Sequence, residues 1–395
     1  MRRVSTRVEL RRDVGRVGPA DGPWIRRRQV SKIWGPADPA SLAELTDHRG
    51  QTLGWGLLAP DSEIPLRLLG FGAAPPPADW LARRMQTARA GRAALGLGLG
   101  EADAPTTGFR AINSEGDGLP GLTVDCYGPD TVIQIATAAM AVRQAEIAAL
   151  VADFTPGRIF ITSPQQAVER EGFVPAPLLH GDDATLAFRE LGLQFAVPAP
   201  PAQKTGAYLD QRDNRALVAR LARVSGGRLL DVGCHVGGFA LHAAALGVDA
   251  VGLDQSARAL ACARINAERG GLAGRTAWVQ GDMFGALDDA ALAGPFGVVV
   301  FDPPRVASSP RDVGRASGAM SGSLGRLLPR VQAGGFAVVC SCSQHLGGEV
   351  LDAALLDAGD GAWTRVYALG PGPDHPVWPG HREGAYLRVH VYQRR

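Results

Sequence analysis

The chain has 395 residues, 46% of them hydrophobic and 20% charged, with a formal net charge of +2. That length suffices for two or three domains, each with its own core, and the composition is that of an ordinary soluble protein. No apolar run approaches the ~18 residues of a membrane span, the start Met1-Arg2-Arg3-Val4-Ser5-Thr6-Arg7 lacks the apolar stretch of a signal peptide, and none of the cysteines forms a Cys-x-x-Cys pair. Neither a membrane span, a signal peptide nor a zinc site is therefore expected, and the protein is expected to stay in the cytoplasm.

From residue 1 to about 72, short β-rich runs such as Val8-Glu9-Leu10 and Ile64-Pro65-Leu66-Arg67-Leu68-Leu69 alternate with Gly/Pro turns, the pattern of a small barrel. Residues 1–33 hold ten basic residues against three acidic ones, a local excess of +7 that suits a phosphate-contacting surface. Arginine replaces lysine almost everywhere, leaving only Lys32 and Lys204, so the local excess carries more meaning than the arginine count. Ala73-Ala74-Pro75-Pro76-Pro77 reads as a stiff linker. A helix follows across Asp79–Leu95, where Leu81, Met85 and Ala88 recur at helical spacing. Strand-like Leu122–Asp125 and Thr131–Ile135 then lead to a helix near Ala141–Val151, and Pro198-Ala199-Pro200-Pro201 marks the last boundary. The expected parts are therefore 1–72, 73–195 and 196–395.

The third part carries the chemistry. Leu229-Leu230-Asp231-Val232-Gly233-Cys234-His235-Val236-Gly237-Gly238 has the form of a buried strand breaking into a glycine-rich turn before a helix, where an α/β sheet admits a ligand. A pyrophosphate turn wants Gly-x-Gly-x-x-Gly. Here the spacing is Asp231-x-Gly233-x-x-x-Gly237, with an acid that repels phosphate and accepts from an ammonium. S-adenosylmethionine carries an ammonium and no phosphate. Val251-Gly252-Leu253-Asp254 reads as a second strand whose acid can take both ribose hydroxyls, and Asp282 ends a third where it could accept from the adenine amine.

Val299-Val300-Phe301 is apolar enough to be central in the sheet, and Asp302-Pro303-Pro304-Arg305 closes it with a stiff corner suited to holding a flipped-out base by its edge. A fifth strand, Gly335–Cys340, brings Cys340 and Cys342 to the same edge. Carbon 5 of a pyrimidine is a poor nucleophile until a thiolate adds to carbon 6, and Cys342 is the residue expected to add. Thr364–Leu369 and Ala385–Tyr392 read as two final strands joined by the loop Gly370–Gly384. An antiparallel last strand fits a methyltransferase sheet and not a nicotinamide-binding one.

The run Gln203-Lys204-Thr205-Gly206-Ala207-Tyr208-Leu209-Asp210-Gln211-Arg212-Asp213-Asn214-Arg215 resembles the signature preceding the catalytic domain of the RlmI-like bacterial 23S ribosomal RNA cytosine-5 methyltransferases. Gly237–His242, Asp302-Pro303-Pro304, Ser341–His345 and Asp374-His375-Pro376 resemble the same family, as does Ile112–Asp125 upstream. The resemblance implies a PUA domain, a small α/β middle domain and a C-terminal Rossmann-like class I methyltransferase. It implies a cofactor site of Gln211, Asp231, Gly233, Gly237, Asp254, Asp282 and Asp302, with Asp302 and Cys342 at the base. Two departures stand out: Cys234-His235-Val236 where relatives more often carry an aromatic and a threonine, and Gly22-Pro23-Trp24-Ile25-Arg26 where a His-Pro-Trp-Ile-Phe-like run is usual.

The expected function is S-adenosylmethionine-dependent formation of 5-methylcytosine in 23S ribosomal RNA, free or within a large-subunit assembly particle. Asp302 would hydrogen-bond N3 and the exocyclic amine, and Cys340 is a candidate for taking the carbon-5 proton. Uracil-5 methylation, guanine methylation with Cys342 merely structural, and a non-catalytic RNA-binding assembly factor stay open, as does a homodimer.

Overall fold

A computed structural model describes residues 6–98, 103–174, 185–199, 207–307, 309–359 and 361–395. Gln203-Lys204-Thr205-Gly206 of the signature and Pro200-Pro201 of the expected boundary lie outside the described residues. The chain divides into two compact units: one runs to Leu186 and includes Pro373–Gly384, the other holds Ala187–Val197, Ala207–Gly372 and Ala385–Arg395.

In the first unit, strict alternation turns Val8 and Leu10 inward along Arg7–Leu10. Six strands form one sheet in the order Trp24–Ile25, Leu66–Phe71, Thr52–Leu58, Leu42–Thr46, Arg7–Leu10 and Val30–Trp34. They enclose Ile25, Leu45, Leu58, Leu66 and Leu68. The strand expected from Ile64 starts at Leu66, since Pro65 has no N–H to give a ladder.

The expected linker helix is present as Trp80–Ala94, burying Trp80, Leu81, Met85 and Ala88. It packs with Leu57 and Leu69 and with Phe109, Leu122 and Ile133 of a four-stranded sheet ordered Ile159–Thr162, Asp130–Ile135, Leu122–Tyr127, Gly108–Asn113. The helix expected near 141–151 is two helices, Ala138–Ala141 and Gln144–Ala152. The Thr137 hydroxyl accepts from the Met140 N–H and starts the first turn, a cap that apolar periodicity does not reveal. The loop Pro373–Gly384 is fastened here: the Asp374 carboxylate accepts from the Arg110 N–H at 2.9 Å, its carbonyl from Arg92 at 2.8 Å, and the Pro376 carbonyl from Asn113 at 2.9 Å.

The second unit is a seven-stranded sheet. Its strands are β1 (Leu229–Val232), β2 (Ala250–Asp254), β3 (Thr276–Gln280), β4 (Phe296–Phe301), β5 (Val331–Ser341), β6 (Trp363–Leu369) and β7 (Arg388–Arg394), in the spatial order β3-β2-β1-β4-β5-β7-β6. Every residue of β1 and β4 is buried, as central strands covered on both faces require. One face packs Ala316, Met320 and Leu324 of α4 (Val313–Leu327) and Leu351 and Leu355 of α5 (Gly348–Ala358). The other packs Val218 and Ala222 of α1 (Arg212–Ser225) and Phe239 and Ala243 of α2 (Gly238–Ala245); α3 (Ala257–Arg269) links β2 to β3. β7 runs antiparallel to both neighbours. The methyltransferase expectation thus holds, and the nicotinamide-binding alternative does not. Among the described residues no helix is long and apolar enough to cross a membrane.

Candidate active site

The site forms where β1, β2, β4 and β5 end. At Gly233 the chain takes φ +88°, its N–H donates to the Leu253 carbonyl at 2.8 Å, and a Cβ would lie 2.3 Å from the Asp302 carbonyl oxygen. Only glycine permits that approach of three strand ends. Gly237 has the same φ, and a Cβ there would meet the Trp278 ring at 2.5 Å.

Asp231 lies on β1 with no exposure. Its Oδ2 accepts from the Ala240 N–H of α2 at 3.1 Å, whereas Oδ1 has no hydrogen-bond partner among the described residues. Burial pushes the carboxyl up to about 7, aided by the neighbouring charges of Asp302 and Asp254 and opposed by the Ala240 N–H and Arg215. A buried acceptor left open is costly unless something cationic or N–H-bearing completes it. The observation fits the ammonium of S-adenosylmethionine and would not suit a phosphate.

Asp254 anchors the glycine turn: its Oδ2 accepts from the His235 N–H and its Oδ1 from the Ser256 N–H, both at 2.8 Å. His235 sits at φ +50°, a conformation that the first of these bonds helps to hold. Each carboxylate oxygen keeps a second lone pair for a hydroxyl. Asp254→Ala should weaken S-adenosylmethionine binding at least about tenfold, since hydrogen bonds to a charged group are worth ~1.5–3 kcal/mol each. Unchanged affinity by calorimetry in a folded variant would remove Asp254 from the site. Asp282 lies two residues past β3, is exposed, and accepts from the Phe284 N–H at 2.9 Å. The Gly281 N–H beside it bonds the Asp254 carbonyl at 3.1 Å, which ties that turn to the β2 end.

The base-facing half is braced by Gln211, expected at the site, and by Asn214 and Ser343, to which the sequence assigned no role. The Asp302 N–H continues the ladder to Val232 at 2.9 Å, and Asp302 Oδ2 accepts from Gln211 Nε2 at 3.3 Å. Gln211, 2% exposed, is itself aimed by Asn214, whose side-chain N–H donates to Gln211 Oε1 at 2.7 Å. Beyond β5, Ser343 is buried; its hydroxyl accepts from the Ala307 N–H at 3.3 Å, and its N–H donates to the Ser341 hydroxyl at 3.2 Å. Buried Ser343 thereby clamps the turn carrying Cys342 to the loop after Asp302-Pro303-Pro304. A small polar residue flanking the cysteine on each side was the available signal.

Cys342 is half-buried and lies one residue past β5. Cys340 does not share that setting. It has no exposure and packs with Phe239, Ala240, Val338 and Val389. Burial, with the charges of Asp302, Asp231 and Cys342, drives its thiol well up, while a bond to Gln211 opposes. Burial in this apolar cluster disfavours the thiolate that a proton acceptor at Cys340 would use. Strand alternation had put both cysteines on one side; the strand ends between them, and alternation ends with it.

Tyr208 completes the group. Its phenol is pushed up to about 12 by burial and then by the charges of Asp302, Cys342, Asp210 and Asp254. The hydroxyl is thus neutral and lies in the field of both halves of the site. Its ring meets His235 edge-on at 5.1 Å. Arg215 donates to the Tyr208 carbonyl at 2.8 Å and to both oxygens of Glu190 at 2.9 and 2.8 Å. Burial would raise the Glu190 carboxyl, but Arg215 and His242 outweigh it and hold it down.

Residues 20–71 match the PUA-like domain family and residues 223–358 the methyltransferase domain family. Over 378 residues the chain is 32% identical to the ribosomal RNA large subunit methyltransferase I of Shewanella denitrificans, covering 93% of this chain and 94% of that one. It is 34% identical over 384 residues to a ribosomal RNA large subunit methyltransferase of Deinococcus radiodurans, covering 93% and 92%. A candidate SAM-dependent methyltransferase of Streptococcus mutans shares the fold at 17% identity, with a TM-score of 0.78 over 98% of this chain and 99% of that one.

Proposed function

The chain belongs to the RlmI-like family of ribosomal RNA large subunit methyltransferases, and from that premise we propose that it forms 5-methylcytosine in 23S ribosomal RNA with S-adenosylmethionine as methyl donor. The observation that carries this reading is the pairing of an open buried acceptor on Asp231 with a half-buried Cys342 clamped beside Asp302. The first suits a cationic amino-acid tail; the second suits thiolate addition to a pyrimidine held by its edge.

S-adenosylmethionine supplies an electrophilic methyl group when bound. Asp231 would hold its ammonium, Gly233 and Gly237 would let backbone approach, and Asp254 and Asp282 would take ribose and adenine. Asp302, oriented by Gln211, would grip N3 and the exocyclic amine of cytosine and favour the protonated ring. The Cys342 thiolate then adds to carbon 6, carbon 5 acquires the nucleophilic character that accepts the methyl group, and loss of the carbon-5 proton to solvent expels the thiolate. Cys340 has no acid–base task in this scheme; its thiol shares a hydrogen bond with Gln211. We keep the division 1–72, 73–195 and 196–395 as functional parts, with RNA gripped by the first, and place the reaction in the cytoplasm.

Mass mapping of 23S ribosomal RNA from a deletion strain, with and without complementation, tests the assignment. One cytosine should lose a methyl group at carbon 5 and regain it on complementation. A lost methyl on uracil or guanine would replace the base assignment, and no change in any nucleotide would remove the enzymatic reading.

A further inference from the structure

We propose that a cleft in the first unit is a second RNA subsite, taking one splayed-out base of the substrate together with its phosphate. The proposal rests on the RNA-modifying function above and names a contact additional to that with the methylated base. The cleft has a volume of about 230 Å³ and is lined by Trp55, Phe71 and the largely buried Trp80, together with Gly70, Pro76 and Pro77. Aromatic residues such as Trp55 and Phe71 stack on any base without demanding its sequence, and the two prolines stiffen the lining they belong to. The Trp55 indole is fixed by its N–H donating to the Ala73 carbonyl at 3.0 Å.

Charge identifies the occupant as anionic. Arg84, on the rim, is half-buried and donates to the carbonyls of Gly118 and Leu69. Arg143 donates to the carbonyls of Ala139 and Ala40 at 2.7 and 3.1 Å. The two guanidinium carbons lie 5.8 and 5.7 Å from the Trp80 ring centroid. No carboxylate among the described residues hydrogen-bonds either group; Glu146 acts on Arg143 only through space. By contrast Arg83, also on the rim, is matched by Asp79 at 2.8 Å. Arg84 in the cleft lining and Arg143 against the Trp80 ring, both half-buried and neither hydrogen-bonded to a carboxylate, favour a phosphate with a planar base attached.

Gly70 provides a clean test, because a Cβ there meets nothing within 4 Å and its φ is not left-handed. Gly70→Leu should fill the cleft without strain. The full-length protein is titrated with a short single-stranded RNA carrying 4-thiouridine, and photocrosslinks are mapped by mass spectrometry. In the wild type they should fall on Trp55, Phe71 or Trp80. Gly70→Leu should remove them and weaken RNA binding about tenfold, and Arg84→Gln should lower the salt slope by about 0.7, with S-adenosylmethionine affinity unchanged in both. Should Gly70→Leu lose cofactor affinity through misfolding, Trp55→Leu takes its place. Wild-type crosslinks, affinity and salt slope in a folded cleft variant would overturn the subsite while leaving the methylation result standing. Crosslinks at the cleft in a protein that methylates no ribosomal RNA would sink the function and keep the subsite.

Discussion

Cys342→Ala is expected to lose methyl transfer by at least about a thousandfold while binding S-adenosylmethionine almost as the wild type does, the signature of a covalent catalyst rather than a binding residue. The cysteine sits on a turn held by the hydroxyls of Ser341 and Ser343, so trimming its side chain leaves the turn intact. RNA with 5-fluorocytosine at the target should trap the wild-type enzyme as a methylated covalent adduct, since fluorine cannot leave as a proton. The variant should form none. Cys340→Ala serves as the comparison: it should still trap the adduct and still release product from ordinary RNA, with its main effect on stability, because it opens a space in the cluster around Phe239 and Val338. A Cys342→Ala enzyme methylating RNA at near-normal rate would defeat the carbon-5 mechanism and promote guanine.

Asp231→Asn should move stability and cofactor binding in opposite directions. Folding raises this carboxyl from the ordinary aspartate range to about 7, so the folded protein binds the proton more tightly than the unfolded chain. The stabilisation is fully present below the unfolded pKa and is lost as pH rises through about 7. At pH 8 the ligand-free wild type therefore carries a penalty on the order of 4 kcal/mol from a shift of about three pH units. Asparagine keeps an acceptor for the Ala240 N–H and removes the charge. Its melting temperature should exceed that of the wild type at pH 8, with the gap closing toward pH 5. Cofactor affinity should fall about tenfold to a hundredfold, since a neutral acceptor replaces a charged one. In the wild type, a bound cation should draw the carboxyl back down, so binding near pH 6 should release protons and tighten toward pH 7.5. Calorimetry in buffers of different ionisation enthalpy reads this directly, and affinity independent of pH over that interval would dissociate Asp231 from the ammonium.

The sheet of the second unit was legible because its signals are dense. Short buried runs at Leu229–Val232, apolar but for Asp231, and at Phe296–Phe301, each leading into a glycine- or proline-bearing turn, leave little freedom of assignment. Asp231, Asp254 and Asp302 followed from strand ends and do converge, as their mutual effect on the Asp231 carboxyl indicates. What escaped was set by contacts distant in sequence. The burial of Cys340 depends on Phe239 and Val389, and the reach of Tyr208 depends on Arg215, which donates to its carbonyl while Glu190 holds the guanidinium. The Ala138–Ala141 turn depends on one capping hydroxyl. None of these leaves a periodic trace along the chain.

The fastening of Asp374 and Pro376 to Arg92, Arg110 and Asn113 has a consequence for biosynthesis. Those bonds join residues 263 to 282 positions apart, so the part of the chain around Arg92–Asn113 lacks these partners until residues 374–376 have been translated. At ~5–20 residues per second the wait is on the order of tens of seconds. During that interval the Arg92 guanidinium has Asp117 but not the Asp374 carbonyl, and the Arg110 N–H of the Gly108–Asn113 edge strand lacks the Asp374 carboxylate. Such an edge is an aggregation hazard in a nascent chain. A truncation ending before Pro373 would make that transient state permanent, and insolubility of the shortened product is its expected sign.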